Sequence, residues 1–325
     1  LRLLQHGAIA QERRDQESMN DRVKHILFGI ALVFSLVAAA CNSGNGSDPV
    51  PITQPIVVNT PELGLNGILA TKDLSVGPNR ISFLLTTPKS LVTIPTANVK
   101  SVYLGATESV EESVTAEFYL WPFGSRGSYV TELSFNRPGD WRLDIDVLEE
   151  DGSTSSARIP LRVEETSVTP GVGSKPPTAA NKTSRDVADL KALTTRSTPN
   201  PDLYELTIAE ALETEQPLLV VFASPALCTS PTCGPQTETV EELKDQYKGR
   251  VNFIHVEVYD NPDEIQGDLS RARLAPIIDI WGFTQLEDYR NESFVFIIGR
   301  DGLISAKYEG YAAKEELEKG LAEVL

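Results

Sequence analysis

The chain changes its hydrophobic rhythm part-way along. In WRLDIDVL (141–148), apolar Trp141, Leu143, Ile145 and Val147 alternate with polar neighbours, the period of a strand with one face buried. Asp151-Gly152 then signals a hairpin, and ARIPLRVE (157–164) reads as its return strand. RISFLLTT (80–87), VKSVYLG (99–105), VTAEFYLW (114–121) and SYVTELSF (128–135) predict four more strands, separated by Gly and Pro at sandwich-like spacings. After residue 203 the pattern turns to continuous apolar runs alternating with helical periods. PLLVVFAS (217–224) and VNFIHVEVY (251–259) predict buried strands. Helices are predicted after Thr207, over 233–249 up to Gly249, around 270–281, and over the closing AKEELEKGLAEVL; SFVFIIGRDGLISAKYEG (293–310) predicts a hairpin at Asp301-Gly302. The pattern predicts a multi-domain chain, an all-β sandwich followed by an α/β domain around a mixed sheet.

Two stretches rich in Pro, Ser, Thr, Gly and Asn read as flexible, 41–60 behind Cys41 and 164–202 between the folded parts. They leave a β-sandwich over 61–163 and a second domain over 203–325. No internal repeat is evident.

The N-terminal pattern bears on location. Met19, the only methionine, precedes Arg22, Lys24, the apolar run ILFGIALVFSLVAAA (26–40) and Cys41. A basic start, about 15 apolar residues and small residues before a cysteine describe a secretory signal, too short for a membrane span of about 20 residues. VAAAC resembles the lipobox of bacterial lipoproteins, which implies lipidation of Cys41. Residues 1–18 then read as an over-extended gene start, 19–40 as the signal and 41–60 as a lipidated tether. The expected place is the outer face of the cell membrane, extracytoplasmic and lipid-anchored, where disulfides persist. The 325 residues carry a formal charge of −17, which argues against a nucleic-acid partner.

The 61–163 pattern resembles the small extracytoplasmic immunoglobulin-like domains of bacterial envelope proteins, including the YtkA/FixH type. Some of these handle copper. Here no histidine lies between His25 and His255 and no methionine follows Met19, so soft ligands are missing and a spacer or protein-contact role is expected.

FASPALCTSPTCGP (222–235) holds the other two cysteines, Cys228 and Cys233, between a buried strand and a helix. The order of elements over 203–325 resembles the thioredoxin fold, and Cys233-Gly234-Pro235 resembles part of its Cys-Gly-Pro-Cys motif, with Gln236 where the second cysteine would stand. Aligned by the helix, Cys233 takes the place of the second cysteine, Tyr247 falls near the helix end, and Cys228 becomes the first of a Cys-x4-Cys pair. The resemblance implies a disulfide between them, with Cys228 as nucleophile and Cys233 as resolving thiol. A helix N-terminus suits this chemistry because it stabilises thiolate. Pro231 and Pro235 suit first-turn positions.

Three positions depart from the family. Val221 stands where a buried acid is expected, Ala226-Leu227 where a tryptophan is, and Ser293 at the cis-proline position. A cis bond before a non-proline costs about 2.5–4 kcal/mol, so a trans bond is expected at Ser293.

Three readings of the pair stay open. One is thiol–disulfide exchange on envelope protein thiols and disulfides, with a membrane electron-transfer partner. The second is a structural disulfide in a non-catalytic envelope binding or assembly protein. The third is metal binding as in copper-delivering Sco proteins, for which His255 would be the only histidine at hand; a packed strand histidine is the expectation. No cofactor is expected. Trp281, Phe283 and Tyr289 are expected to pack beneath the cysteine loop, and the charged helix faces to be solvated. Asn181-Lys182-Thr183 matches a glycosylation pattern without meaning in a bacterium.

Overall fold

The computed structural model describes residues 64–122, 124–178, 181–287, 289 and 291–325. The expected gene start, signal, Cys41 lipidation site and tether lie outside the described residues. Among the described residues, no helix is long and apolar enough to cross a membrane.

The fold is mostly β, with a nearly closed antiparallel sheet and a few helices. Seven strands build that sheet: β1 (Asn66–Leu69), β2 (Gly77–Thr86), β3 (Thr96–Leu104), β4 (Glu108–Leu120), β5 (Gly127–Phe135), β6 (Gly139–Leu148) and β7 (Thr154–Val163). Their order is β1-β2-β5-β4-β3-β6-β7, compatible with a β-sandwich. The six predicted strands are present, and β1 is additional. Alternation does its expected work in β6, where Trp141, Leu143, Ile145 and Val147 are all buried. Trp141 meets Phe135 and Tyr103 edge-on, with ring centroids 4.9 and 5.2 Å apart.

The two edges of this sheet nearly meet. A Cβ on Gly67 of β1 would lie 2.4 Å from Ile159 of β7, so only glycine allows that approach. Just beyond β1, Val76 N–H donates to Glu164 O and Glu164 N–H to Leu74 O, both at 3.0 Å, as a parallel bridge.

A second sheet has four strands, β8 (Leu218–Ala223), β9 (Asn252–Glu257), β10 (Phe294–Ile298) and β11 (Ile304–Glu309), in the order β11-β10-β8-β9. β8 and β9 run parallel; the other pairs are antiparallel. Every β8 residue is buried, which explains its unbroken apolar run. On one face Leu219, Val221 and Val295 pack with α2 (Cys233–Gln246) and α5 (Lys314–Ala322). On the other, Val220, Phe222 and Phe296 pack with α1 (Ile208–Glu213), α4 (Pro276–Ile280), Trp281 and Phe283. The remaining helix, α3 (Pro262–Ile265), is a single turn. Thr207 caps α1 in a reciprocal box with Glu210, as its sequence suggests.

The described residues, from 64 on, form one compact unit. The segment 164–202, expected as a flexible linker, is packed. Gly173 N–H donates to Ile304 O at 2.8 Å and Ile304 N–H to Ser174 O at 2.9 Å; Thr169, Asn181, Thr183 and Leu193 are buried. A Cβ on Gly282 would lie 2.4 Å from Val168 O, so the strap passes directly over it. Its Asp, Asn and Thr side chains cap its own turns, as Asp186 does for Thr183 N–H at 2.7 Å, which satisfies a backbone without periodicity.

Charges tie the sheets together. Asp73 pairs with Lys307 of β11 at 3.0 Å and accepts from Val168 N–H, Thr169 N–H, Thr169 Oγ1 and Ser167 Oγ. Burial pushes its carboxyl up, but Lys307 and these donors outweigh burial and hold it below the usual range. Arg80 of β2 grips Glu316 of α5 through two bonds, 2.7 and 3.0 Å, and donates to the carbonyls of Glu309 and Tyr311. The expectation that this helix face is solvated fails at Glu316, whose side chain is only 9% exposed.

Glu316→Ala leaves Arg80 buried without its counter-charge. The expected loss is about 3 kcal/mol, read as a lowered midpoint in thermal or denaturant unfolding. An unchanged midpoint would mean that Arg80 does not depend on Glu316.

Candidate functional site

Cys228 and Cys233 form a disulfide with their Cα atoms 5.9 Å apart. β8 delivers the chain to a turn at 224–227, where Leu227 N–H donates to Ser224 O. Cys228 is partly exposed, whereas Cys233, the first residue of α2, is wholly buried. Pro235 lies in the first turn of α2, where its missing N–H costs no helix bond. Gln236 is also buried; its Oε1 accepts from Ala312 N–H at 2.7 Å and fixes the helix start against the chain beyond β11.

A loop residue covers the disulfide. The carbonyl oxygen of Asn291 lies 3.0 Å from Cys228 Sγ and 3.7 Å from Cys233 Sγ. Asn291 has a left-handed backbone with φ +57° and donates from Nδ2 to Leu227 O and to Tyr259 Oη, each at 3.2 Å. Nothing in the sequence pattern singles Asn291 out, since a lone Asn in a loop is commonplace.

Ser293 is fully buried beside β10, and no described peptide bond is cis. Its Oγ donates to Gly310 O at 2.9 Å, so the residue at the sulfurs is Asn291 instead.

Val221 sits in the core, as its apolar character requires. A buried acid is present one strand over. Glu257 ends β9 opposite Ala223 and accepts from Thr195 N–H at 2.8 Å, Thr195 Oγ1 at 3.0 Å and Val258 N–H at 3.0 Å. Thr195 Oγ1 in turn accepts from Ala226 N–H in the cysteine loop at 3.1 Å. Burial raises Glu257 to about 7, against the lowering effect of donors from Ser224 and Thr195. The signal available in sequence was an acid inside the apolar run VNFIHVEVY.

His255 is a packed strand histidine. Its Nε2 lies 3.0 Å from Ala223 O and its Nδ1 2.7 Å from Tyr204 Oη, which makes Nε2–H the donor to the carbonyl and Nδ1 the acceptor from the tyrosine. Burial lowers it to about 4, so the ring is neutral near pH 7. Both nitrogens are therefore engaged away from the sulfurs. Among the described residues, no cluster of three or more His, Cys, Asp or Glu is arranged to hold a metal. Trp281 and Phe283 are buried against Phe222 and Phe296, and Tyr289 stacks on Phe283 at 5.8 Å.

In comparisons with known proteins, the chain matches no protein-family model and no curated protein.

The buried acids set a pH dependence. Glu257 and, at the sheet junction, Glu309 are both raised to about 7 from the ordinary carboxyl value of 4.5, burial being the main cause. A carboxyl raised in the folded state binds its proton there while the unfolded chain has lost it, so stability falls as pH rises from about 4.5 to 7. His255 acts oppositely between about 4 and 6.5, because the unfolded chain gains a proton that the folded state refuses. With two carboxyls against one histidine, stability is therefore expected to decline between about pH 5 and 7.5, most steeply above 6.5, where His255 no longer opposes it. Glu257→Gln should remove part of that decline, of the order of 2 kcal/mol between pH 5 and 8 relative to the unsubstituted protein. Denaturant unfolding at both pH values reads it; parallel profiles for the two proteins would refute the assignment.

Proposed function

We propose that residues 203–325 form a thioredoxin-like α/β domain that carries out thiol–disulfide exchange through Cys228 and Cys233. The observation that carries this reading is the placement of the disulfide. It joins a partly exposed Cys228 to a buried Cys233 at the first position of a 14-residue helix, in the connection that leaves a strand buried on both faces. The strand order β9-β8-β10-β11, with helices on both faces, supports the fold. The order of the seven-stranded sheet pairs β1-β2-β5-β4 and β3-β6-β7 as an immunoglobulin-like module does, joined through the β3–β4 hairpin. With Cys41 as lipid anchor, the protein works on the extracytoplasmic face of the membrane.

In the reducing direction, the Cys228 thiolate attacks one sulfur of a partner disulfide. An S–S bond forms between Cys228 and the partner, and the departing partner sulfur leaves as thiolate and takes a proton. Cys233, having lost its proton, attacks Cys228 Sγ, closes the 228–233 disulfide and releases the second partner thiol. Two electrons pass to the partner, and a membrane-bound dithiol donor restores the pair. Run backwards, the same steps oxidise a partner dithiol.

The rival reading is a structural staple in an envelope binding protein. The burial of Cys233 and the Asn291 carbonyl over both sulfurs favour it.

The reduction potential separates them. Equilibrated in glutathione and dithiothreitol buffers with thiols trapped by mass, the exchange reading predicts a value above about −250 mV. A value below about −300 mV, with the folded protein refusing alkylation, would establish the staple. Cys233→Ser should trap a mixed disulfide at Cys228 with a model disulfide substrate, while Cys228→Ser should trap none.

A further inference from the structure

Asn291 is an unusual residue to find against a disulfide. It is buried at 7% exposure, its backbone is left-handed, and its Oδ1 has no hydrogen-bond partner. Each feature costs stability, and such costs persist where surrounding contacts enforce them. The contacts are the two bonds from Nδ2, one to the cysteine loop at Leu227 O and one to Tyr259 on the far side. Their effect is to hold a carbonyl oxygen, an acceptor with no proton to give, closest to the sulfur of the partly exposed Cys228.

We propose that Asn291 is a positioning residue that holds Cys228, once reduced, as a neutral and unreactive thiol. This rests on the exchange reading. Reduction by a dithiol donor breaks the 228–233 bond, turns the donor into a disulfide and leaves S–H groups on both cysteines. The Asn291 oxygen, 3.0 Å from Cys228 Sγ in the closed state, then accepts the Cys228 S–H. A hydrogen bond to the neutral form disfavours the charged one, and a carbonyl dipole aimed at the sulfur repels thiolate. The start of α2 acts the other way, but its first residue is Cys233, which no partner reaches. Exchange therefore waits for a partner that draws the 291 loop off the sulfur.

The test follows alkylation of Cys228 by iodoacetamide in the full-length protein after phosphine reduction, by mass, from pH 6 to 10. Asn291→Gly keeps the left-handed backbone and frees both side-chain anchors. Tyr259→Phe cuts one anchor without touching the loop. Each should move the pH–rate profile down by about one unit, giving about tenfold faster alkylation at pH 7 and no gain at pH 10, where the thiol is ionised in every protein. Profiles that coincide with the unsubstituted protein overturn the proposal. So does equal acceleration at both pH values, which reports mere access. Circular dichroism melts confirm that the variants are folded. Because the readout begins from thiols already formed, it fails independently of the exchange reading, which fails on the potential.

Discussion

At the meeting of the two sheets, one carboxylate gathers three parts of the chain. Asp73 follows β1, Lys307 belongs to β11, and Ser167, Val168 and Thr169 belong to the strap between the sheets; all converge on the same two oxygens. A carboxylate buried this deeply is tolerable only with its charge opposed and its lone pairs filled. Those conditions are met by groups about 95 and 234 residues away in sequence. Glu309, two residues further along β11, takes the N–H groups of Lys72 and Asp73 at 2.9 and 3.1 Å, so the same short stretch is held by two residues of that strand.

The strap that this arrangement fixes goes on to shape the disulfide corner. At Val168 and Thr169 it passes over Gly282, and farther on it lays Leu193 into the core and delivers Thr195 to Glu257 and the cysteine loop. The turn before Cys228 is thus supported by a segment outside the second sheet. Asn291 closes the corner from the opposite side through Leu227 and Tyr259. The sulfurs sit between two supports whose backbone positions are set by polar side chains more than by apolar packing.

Much of the framework was readable from periodicity, because a strand with one wet face must alternate and a doubly buried one must not. β6 with Trp141, Leu143, Ile145 and Val147, and β8 with its unbroken apolar run, are the clearest cases. The turn at Gly152 and the cap at Thr207 were readable for the same reason, since their chemistry is local. β1 escaped notice because four residues give too little pattern. The strap was misread because capping residues and flexible linkers share a composition; only the partners of Asp186 and Thr195 distinguish them. The pair Cys228 and Cys233 was legible as a pair, but what surrounds it was not. Glu257 and Asn291 act through neighbours on other strands, and no spacing within one segment reports that.

β11 is joined to β10 of the second sheet by backbone bonds, α5 packs on that sheet through its side chains, and the two reach the first sheet through Lys307, Glu309 and Glu316. The seven-stranded sheet is complete in the chain by residue 163, yet those partners come only between residues 307 and 316. During synthesis the first sheet therefore emerges with Asp73 and Arg80 lacking their opposite charges. Those charges stay unopposed until residues 307–316 have left the ribosome. These residues act as a latch, and a chain cut short before them would lack part of β11 and all of α5 and leave Asp73 and Arg80 without their charge partners.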